Sequence, residues 1–144
     1  MRIDRAAASD IPAVETLLSA AGLPLAGAAE AIAAGGVVAR DGEAVVGAAA
    51  VERFGTAGLL RSVVIAPDRR GTGLGRRVVE AAEQVARAEG IGELYLITET
   101  AIDWFPRLGY VPVPREEAAA AVGESIEFTT VCATTGVPMR RVLG

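Results

Sequence analysis

Short apolar runs separated by turn residues dominate the first half of the chain. Residues 2–6 predict a first strand, and residues 37–40 and 44–53 are joined by Asp41-Gly42, a strong β-hairpin signal. Residues 59–66 form a nearly continuous apolar run that ends before Pro67, as expected of a strand buried on both faces. This half is therefore predicted to form antiparallel strands.

Helical spacing appears before, between and after these strands. Val14, Leu17 and Leu18 recur at helical intervals behind a capping residue, Ser9 or Asp10, and residues 25–33 predict a second short helix. Residues 73–89 repeat apolar positions every three and four residues. The next run, residues 93–98, is again strand-like, and strand–helix–strand implies a right-handed parallel crossover.

The remaining pattern is shorter and less regular. A short helix over residues 101–108, a strand over 110–113, a helix over 115–121 and a last strand over 137–143 are predicted, whereas residues 124–135 are ambiguous. We expect one domain over residues 1–144, of the α/β (α+β) class. It should contain a mixed sheet with helices on both faces.

The ionisable residues narrow the chemistry. All 14 basic residues are Arg, there is no His, and the net charge of −4 argues against sequence-independent nucleic-acid binding. The missing His removes the usual neutral-pH base and the commonest nitrogen metal ligand, so no metal is expected. One cysteine, Cys132, and the lack of a signal pattern or membrane-spanning run predict a cytoplasmic protein with no membrane partner.

The sharpest local feature is a glycine-rich run over residues 67–76, between the buried strand and the amphipathic helix. Glycines let successive backbone N–H groups converge, and a helix N-terminus adds partial positive charge, so this run predicts a phosphate site. A P-loop would need a Lys, and a dinucleotide fingerprint would need Gly where Arg76 stands. The alternative, a turn that only starts the helix, is disfavoured by the flanking Arg69, Arg70, Arg76 and Arg77.

Three motifs resemble the GNAT superfamily of N-acetyltransferases, and the resemblance covers nearly the whole chain. They are Arg-x-x-Gly-x-Gly at residues 70–75, Val63-Val64-Ile65-x-Pro67, and Ala101-x-x-Trp104-Phe105-x-x-x-Gly109-Tyr110. The resemblance implies a GNAT fold, in which a parallel strand pair splays at a bulge, and acetyl-CoA as co-substrate. The implied cofactor-binding residues are Val63, Val64, Ile65, Arg70, Gly71, Thr72, Gly73, Leu74, Gly75, Arg76, Trp104 and Phe105.

A narrower resemblance is to the short acetyltransferases associated with arsenic-resistance clusters, themselves similar to the acetyltransferase domain of N-acetylglutamate synthases. It is carried by Leu59-Leu60-Arg61-Ser62-Val63, Thr98-Glu99-Thr100-Ala101, residues 104–110 and residues 127–132. It implies direct acetyl transfer to the primary amine of a small amino-acid-like molecule, including arsenic-containing or other toxic analogues. We expect a monomer or homodimer.

Without His, the base in such a transfer must be a carboxylate, an ordered water or bulk solvent. Glu52 is the first catalytic candidate, near the end of a strand beside the pantetheine strand; alternatively it is a solvated charge paired with Arg53 or Arg61. Arg61 is expected to bind a substrate carboxylate, with an ion pair to Glu52 as the alternative. Glu99 is a second carboxylate at the end of the neighbouring strand.

Other candidate groups are less decisive. Thr98 and Thr100 are expected to contact substrate at a strand end, or only to cap the next turn. Many GNAT enzymes use a Tyr as proton donor to the thiolate where this chain has Phe105, so that role cannot be carried over. Ser62 and Cys132 remain possible donors, although a buried, inert thiol is favoured for Cys132. The alternative function is an acyl-CoA-binding sensor that has lost catalysis.

Overall fold

The computed structural model describes residues 1–125 and 136–144, and a seven-stranded sheet forms its centre. The strands are β1 (Arg2–Arg5), β2 (Gly36–Asp41), β3 (Ala44–Phe54), β4 (Ala57–Ile65), β5 (Glu93–Thr98), β6 (Val111–Pro112) and β7 (Val137–Val142). The helices are α1 (Ile11–Ala20), α2 (Ala28–Gly35), α3 (Leu74–Ala88) and α4 (Arg115–Val122).

The strand order is β1-β2-β3-β4-β5-β7-β6, and among these strands of the described residues only β4 and β5 run parallel to each other. Every other neighbouring pair is antiparallel. The single parallel pair follows from α3, which carries the chain from the end of β4 back to the start of β5. The expected mixed, mostly antiparallel sheet is confirmed.

Each face of the sheet buries its own apolar cluster. On one face, α3 packs Val78 and Ala82 against Leu60 of β4 and Leu94 of β5. On the other face, α1 and α2 cover β2 and β3, while α4 covers Leu59 and its β5 neighbours. Because side chains alternate along β4, Leu59 and Leu60 belong to opposite layers. The prediction of helices on both faces is confirmed.

A β-bulge on β4 opens the sheet beside β5. Ala50 of β3 pairs with Arg61, but Ala48, two residues away, pairs with Val64, so β4 contains one extra residue. The pairing of β4 with β5 extends to Leu59 and Tyr95. Both strands then continue, to Ile65 and Thr98, without pairing to each other. The two strands therefore diverge into a cleft.

Several predicted boundaries differ from the observed ones. The second helix starts at Ala28 rather than at residue 25, because Gly27 at its N-cap adopts a left-handed φ of 75°. The predicted helix over residues 101–108 contains only the 3-10 helix Phe105–Leu108, which has Pro near its start and ends at Gly109. Cys132 and the motif at residues 127–132 lie outside the described residues.

Candidate active site

The cleft between the diverging ends of β4 and β5 has a volume of about 1040 Å³. Its walls are β4, the glycine-rich segment of residues 70–76 (the glycine loop), the end of β5, the turn that follows β5, and residues 21–24 after α1. Ligand pockets in proteins commonly measure roughly 300–1,000 Å³. The cleft is therefore large enough for an extended cofactor arm together with a small second molecule.

The glycine loop lies at one end of this cleft. Gly71 and Gly73 have left-handed φ values of 78° and 83°, and Gly73 is the N-cap of α3. The Thr72 hydroxyl donates to the Arg69 carbonyl at 2.6 Å, which tightens the turn. The first amides of α3 cannot bond within the helix and point toward the loop, so the loop can hold phosphate oxygens. Thr72 and Leu74 do not line the cleft with their side chains, and Leu74 is buried in the core.

The arginines around the loop have different roles. Arg69 pairs with Asp41 and Asp68, and its hydrogen bond to Asp41 raises the pKa of its guanidinium, so it braces the loop against the β2–β3 hairpin. Arg70 and Arg76 line the cleft. Within residues 1–125 and 136–144, their side chains donate only to backbone carbonyls, those of Ile65 and Arg107. Two exposed cations thus lie beside the candidate phosphate site.

Trp104 and Phe105 form the wall of the cleft next to the loop. A Cβ placed on Gly75 would come within 2.9 Å of the Trp104 indole, so the glycine permits the indole to pack on the first turn of α3. The Trp104 and Phe105 rings meet edge to face at 4.9 Å, and Phe105 meets Tyr110 in the same way at 5.7 Å. The aromatic wall is therefore continuous with the core.

A buried polar cluster holds this wall against α3. Glu83 of α3 is 1% exposed; it accepts a hydrogen bond from the Tyr110 hydroxyl at 2.8 Å and two from Arg141 at 2.8 and 2.9 Å. Burial, together with the neighbouring Glu83 carboxylate, raises the pKa of Tyr110 far above its ordinary value. We call Glu83, Tyr110 and Arg141 the buried triad after its two buried members, Glu83 and Tyr110; the Arg141 side chain is 32% exposed.

The raised pKa of Tyr110 predicts a loss of stability at alkaline pH. Below about pH 10 the folded and unfolded states both keep the phenol proton; above it only the unfolded chain loses the proton, so folding weakens as pH rises. Above about pH 10, the wild-type free energy of unfolding should fall by about 1.4 kcal/mol more per pH unit than that of a Tyr110→Phe variant, and below about pH 10 the difference between the two should be constant. Denaturant unfolding between about pH 8 and about pH 11 measures this difference, and a pH-independent difference would contradict the assignment.

Arg61 and Glu52 meet on the face of the sheet that α1, α2 and α4 cover. The Arg61 side chain is fully buried; it donates to Glu52 at 3.3 Å, to the Ala26 carbonyl at 2.6 Å and to the Ser62 hydroxyl at 3.2 Å. Glu52 also accepts a hydrogen bond from Ser125 at 2.6 Å. The ion pair between Arg61 and Glu52, which the sequence left as an alternative, is therefore present. Of the two residues, Arg61 lines the cleft and Glu52 does not.

The end of β5 brings the other acceptor-side candidates to the cleft. Thr98 is buried, and its hydroxyl accepts a hydrogen bond from the amide of Ala101 at 3.0 Å, so it caps the following turn while lining the cleft. Glu99 and Thr100 are exposed and also line the cleft. The structure thus brings these three residues and Arg61 into the same cavity as the loop.

Sequence reasoning did not identify several groups at this site. Ser125, which contacts Glu52, lies in a segment that the sequence left ambiguous, and Ala26, which contacts Arg61, lies in front of α2 where a helix was predicted, so neither contact was indicated. Residues 21–24 also line the cleft, which the sequence pattern did not predict. Arg107 is a further cleft-lining cation, and its position inside the motif at residues 101–110 could have indicated it.

Metal-binding clusters and membrane-spanning helices are both missing from the part of the chain that the structure describes. Within residues 1–125 and 136–144, no group of three or more Cys, Asp or Glu side chains is arranged to hold a metal ion. No helix in the same ranges has the length and apolar character needed to cross a membrane.

Comparison with known proteins assigns the chain to one family. The family described as "Acetyltransferase (GNAT) domain" matches residues 33–112, more than half of the chain. N-alpha-acetyltransferase 80 of Mus musculus is 42% identical over 52 residues, which cover 36% of this chain and 17% of that protein. An amino-acid acetyltransferase of Ralstonia nicotianae is 37% identical over 54 residues, covering 38% and 12%. The chain spans less than a fifth of the length of either relative.

Solved structures share the whole architecture. The N-acetylglutamate synthase of Neisseria gonorrhoeae, complexed with coenzyme A and N-acetyl-glutamate, superposes with a TM-score of 0.82 and 20% identity. The match covers 99% of this chain and 35% of that one. At this identity the likeness concerns the fold.

Proposed function

Because the chain belongs to the GNAT family of acetyltransferases, whose members take acetyl-CoA as the acyl donor, we propose that it acetylates the primary amine of a small amino-acid-like substrate. Arsenic-containing and other toxic amino-acid analogues are included in this substrate class. The reaction would take place in a ternary complex in the cytoplasm, with the chain acting as a single domain, either monomeric or dimeric.

The observation that carries this proposal is a single cleft with two chemically different ends. At one end, the glycine loop, Arg70 and Arg76 suit the pyrophosphate of CoA. From there, Val63 to Ile65 of β4 are available for the pantetheine arm, with Trp104 and Phe105 as its wall. The arm would then reach the point where β4 and β5 separate.

The opposite end of the cleft suits an acceptor that carries both an amine and an acid group. Arg61 is a buried cation in the cleft wall, and a carboxylate or other oxyacid is the natural ligand of a guanidinium. Glu99 can attract the substrate ammonium, and Thr98 and Thr100 can accept or donate hydrogen bonds beside it. The solved neighbour that binds N-acetyl-glutamate supports an acceptor of this class.

The proposed reaction needs little from the protein beyond placement. The free amine attacks the thioester carbonyl carbon, the C–N bond forms, the C–S bond breaks, and the sulfur leaves as thiolate. The amine proton passes to water or to a carboxylate, and Glu52 can act through water if its contacts with Arg61 and Ser125 loosen. Holding both reactants in one cleft supplies the main acceleration.

An acceptor panel tests the proposal, with CoA release as the measured signal. We expect turnover with amino acids and their phosphinate or arsinate analogues, and KM at least about tenfold higher for the matching amino-acid amides, since the amide cannot pair with Arg61. An Arg61→Lys variant should reduce that preference, because Lys lacks the forked geometry.

Other outcomes of the panel have distinct meanings. Turnover only on peptides or polyamines would contradict the amino-acid-like acceptor and the role of Arg61. CoA binding without turnover on any amine would favour the sensor function, for which Phe105 in place of a proton-donating Tyr is the supporting observation.

A further inference from the structure

Ser62 occupies the bulge at the point where β4 and β5 separate. Its φ of 57° is positive, the only such value for a non-glycine residue in the described part of the chain. Left-handed backbone costs a non-glycine residue roughly 1–2 kcal/mol, so the surrounding structure must hold Ser62 there. Its half-buried side chain lines the cleft.

The hydrogen bond between Arg61 and Ser62 leaves the serine proton available. Arg61 Nε, which can only donate, gives its proton to Ser62 Oγ at 3.2 Å. The Ser62 O–H must therefore donate elsewhere, and among residues 1–125 and 136–144 it has no acceptor. A hydroxyl that accepts from a buried cation becomes a stronger donor, because the bond polarises its O–H.

The other hydroxyl groups near the cleft are less suited to donate at this point. Both tyrosines are engaged, Tyr95 with Glu93 and Tyr110 with Glu83. Thr98 and Thr100 lie on the β5 side, and Thr98 accepts from a neutral backbone amide rather than from a cation. Phe105, on the wall, has no polar atom in its side chain.

We propose that Ser62 Oγ donates a hydrogen bond to the CoA sulfur as it leaves as thiolate, with Arg61 behind it stabilising the negative charge. The assignment rests on the proposed acetyl transfer. As the C–S bond breaks, the electron pair stays on sulfur and the serine keeps its proton, because an alkoxide would be far more basic than the thiolate. Ser62 thus acts as a hydrogen-bond donor and not as a general acid.

The acidity of bound CoA tests this assignment without knowledge of the acceptor. A donor to the thiolate lowers the pKa of the CoA thiol in the complex. The ultraviolet absorbance of the thiolate, recorded across a pH series for wild type with saturating CoA, gives this pKa. In Ser62→Ala and Ser62→Gly variants it should rise by about one unit, which corresponds to loss of one charge-assisted hydrogen bond.

The two substitutions separate the hydroxyl from the backbone. Glycine favours φ near 57° and removes the strain, whereas alanine keeps it, yet both remove the hydroxyl. Equal rises in the two variants support the assignment. If the glycine variant behaves like wild type, or neither variant changes the thiol pKa, the assignment is overturned. A shift seen only in Thr98→Val would instead place the donor on β5.

Kinetics provide the second readout once an acceptor is known. Both Ser62 variants should lower kcat about tenfold and leave KM for acetyl-CoA nearly unchanged, since the bond to sulfur strengthens only as charge develops. An unchanged kcat would overturn the assignment. Failure of every amine in the panel would count against the proposed function alone, because the pKa of bound CoA still reports on Ser62.

Discussion

Replacing Glu83 with alanine is expected to lower the free energy of unfolding by about 3 kcal/mol. The change leaves the Tyr110 hydroxyl, which is fully buried, with no acceptor, and it removes the partner of Arg141. We expect the lower end of the range for a broken buried pair because the Arg141 side chain is 32% exposed and can regain water. Thermal unfolding should show a Tm lower by roughly 10 °C.

Glu80→Ala is the matched control, since Glu80 lies on the same helix but is exposed. Its effect should stay within about 0.5 kcal/mol. A loss below about 1 kcal/mol for Glu83→Ala would show that the buried triad adds little to stability. Tyr110 of the triad packs against Phe105, and Phe105 packs against Trp104 in the cleft wall. Weaker CoA binding should therefore accompany the loss of stability.

Replacing Gly73 with valine is expected to weaken CoA binding about hundredfold, which corresponds to roughly 2.7 kcal/mol. The φ of 83° at Gly73 is strained for any residue with a Cβ and worst for a β-branched one. Relief of that strain rotates the loop amides away from their common point, and one or two charge-assisted hydrogen bonds to phosphate are lost. Calorimetric titration with CoA measures the affinity directly.

Gly55→Val separates the loop effect from backbone strain. Gly55 has a similar φ of 66° and lies in the turn between β3 and β4. A Cβ added at Gly55 would meet no neighbouring atom within 4 Å, and the same holds at Gly73. The variant should lose comparable stability while CoA affinity stays at the wild-type value. Equal weakening of CoA binding in both variants would mean that general destabilisation, rather than the loop, controls affinity.

Local sequence patterns predicted most of the fold. Apolar periodicity located β3, β4, β5 and α3 to within a few residues, since each element buries a continuous apolar face. The predicted boundaries were wrong where turn-forming residues interrupt an apolar pattern, as in the 3-10 helix Phe105–Leu108. There Pro106 and Gly109 limit the helix to a short segment that an apolar pattern cannot resolve.

The two ends of the cleft differed in how far sequence could predict them. The glycine loop is one contiguous segment, and glycine is the residue type that lets the backbone turn sharply. The sequence could therefore predict that the chain turns at Gly71 and Gly73, both of which have positive φ values. For Arg61 and Glu52, the sequence could not decide whether the two side chains form an ion pair. Their contacts depend on strand register and on Ala26 and Ser125, which are distant along the chain.

The sequence by itself determined the order of elements, the glycine-rich run in front of α3, and the absence of histidine and of a tyrosine at position 105. These are local properties, set by residue type and short-range spacing. Only the tertiary structure decided that a bulge places Ser62 at the fork of β4 and β5, and that Arg61 is buried against Glu52. Such features arise from pairing and packing between distant segments, and no local pattern encodes them.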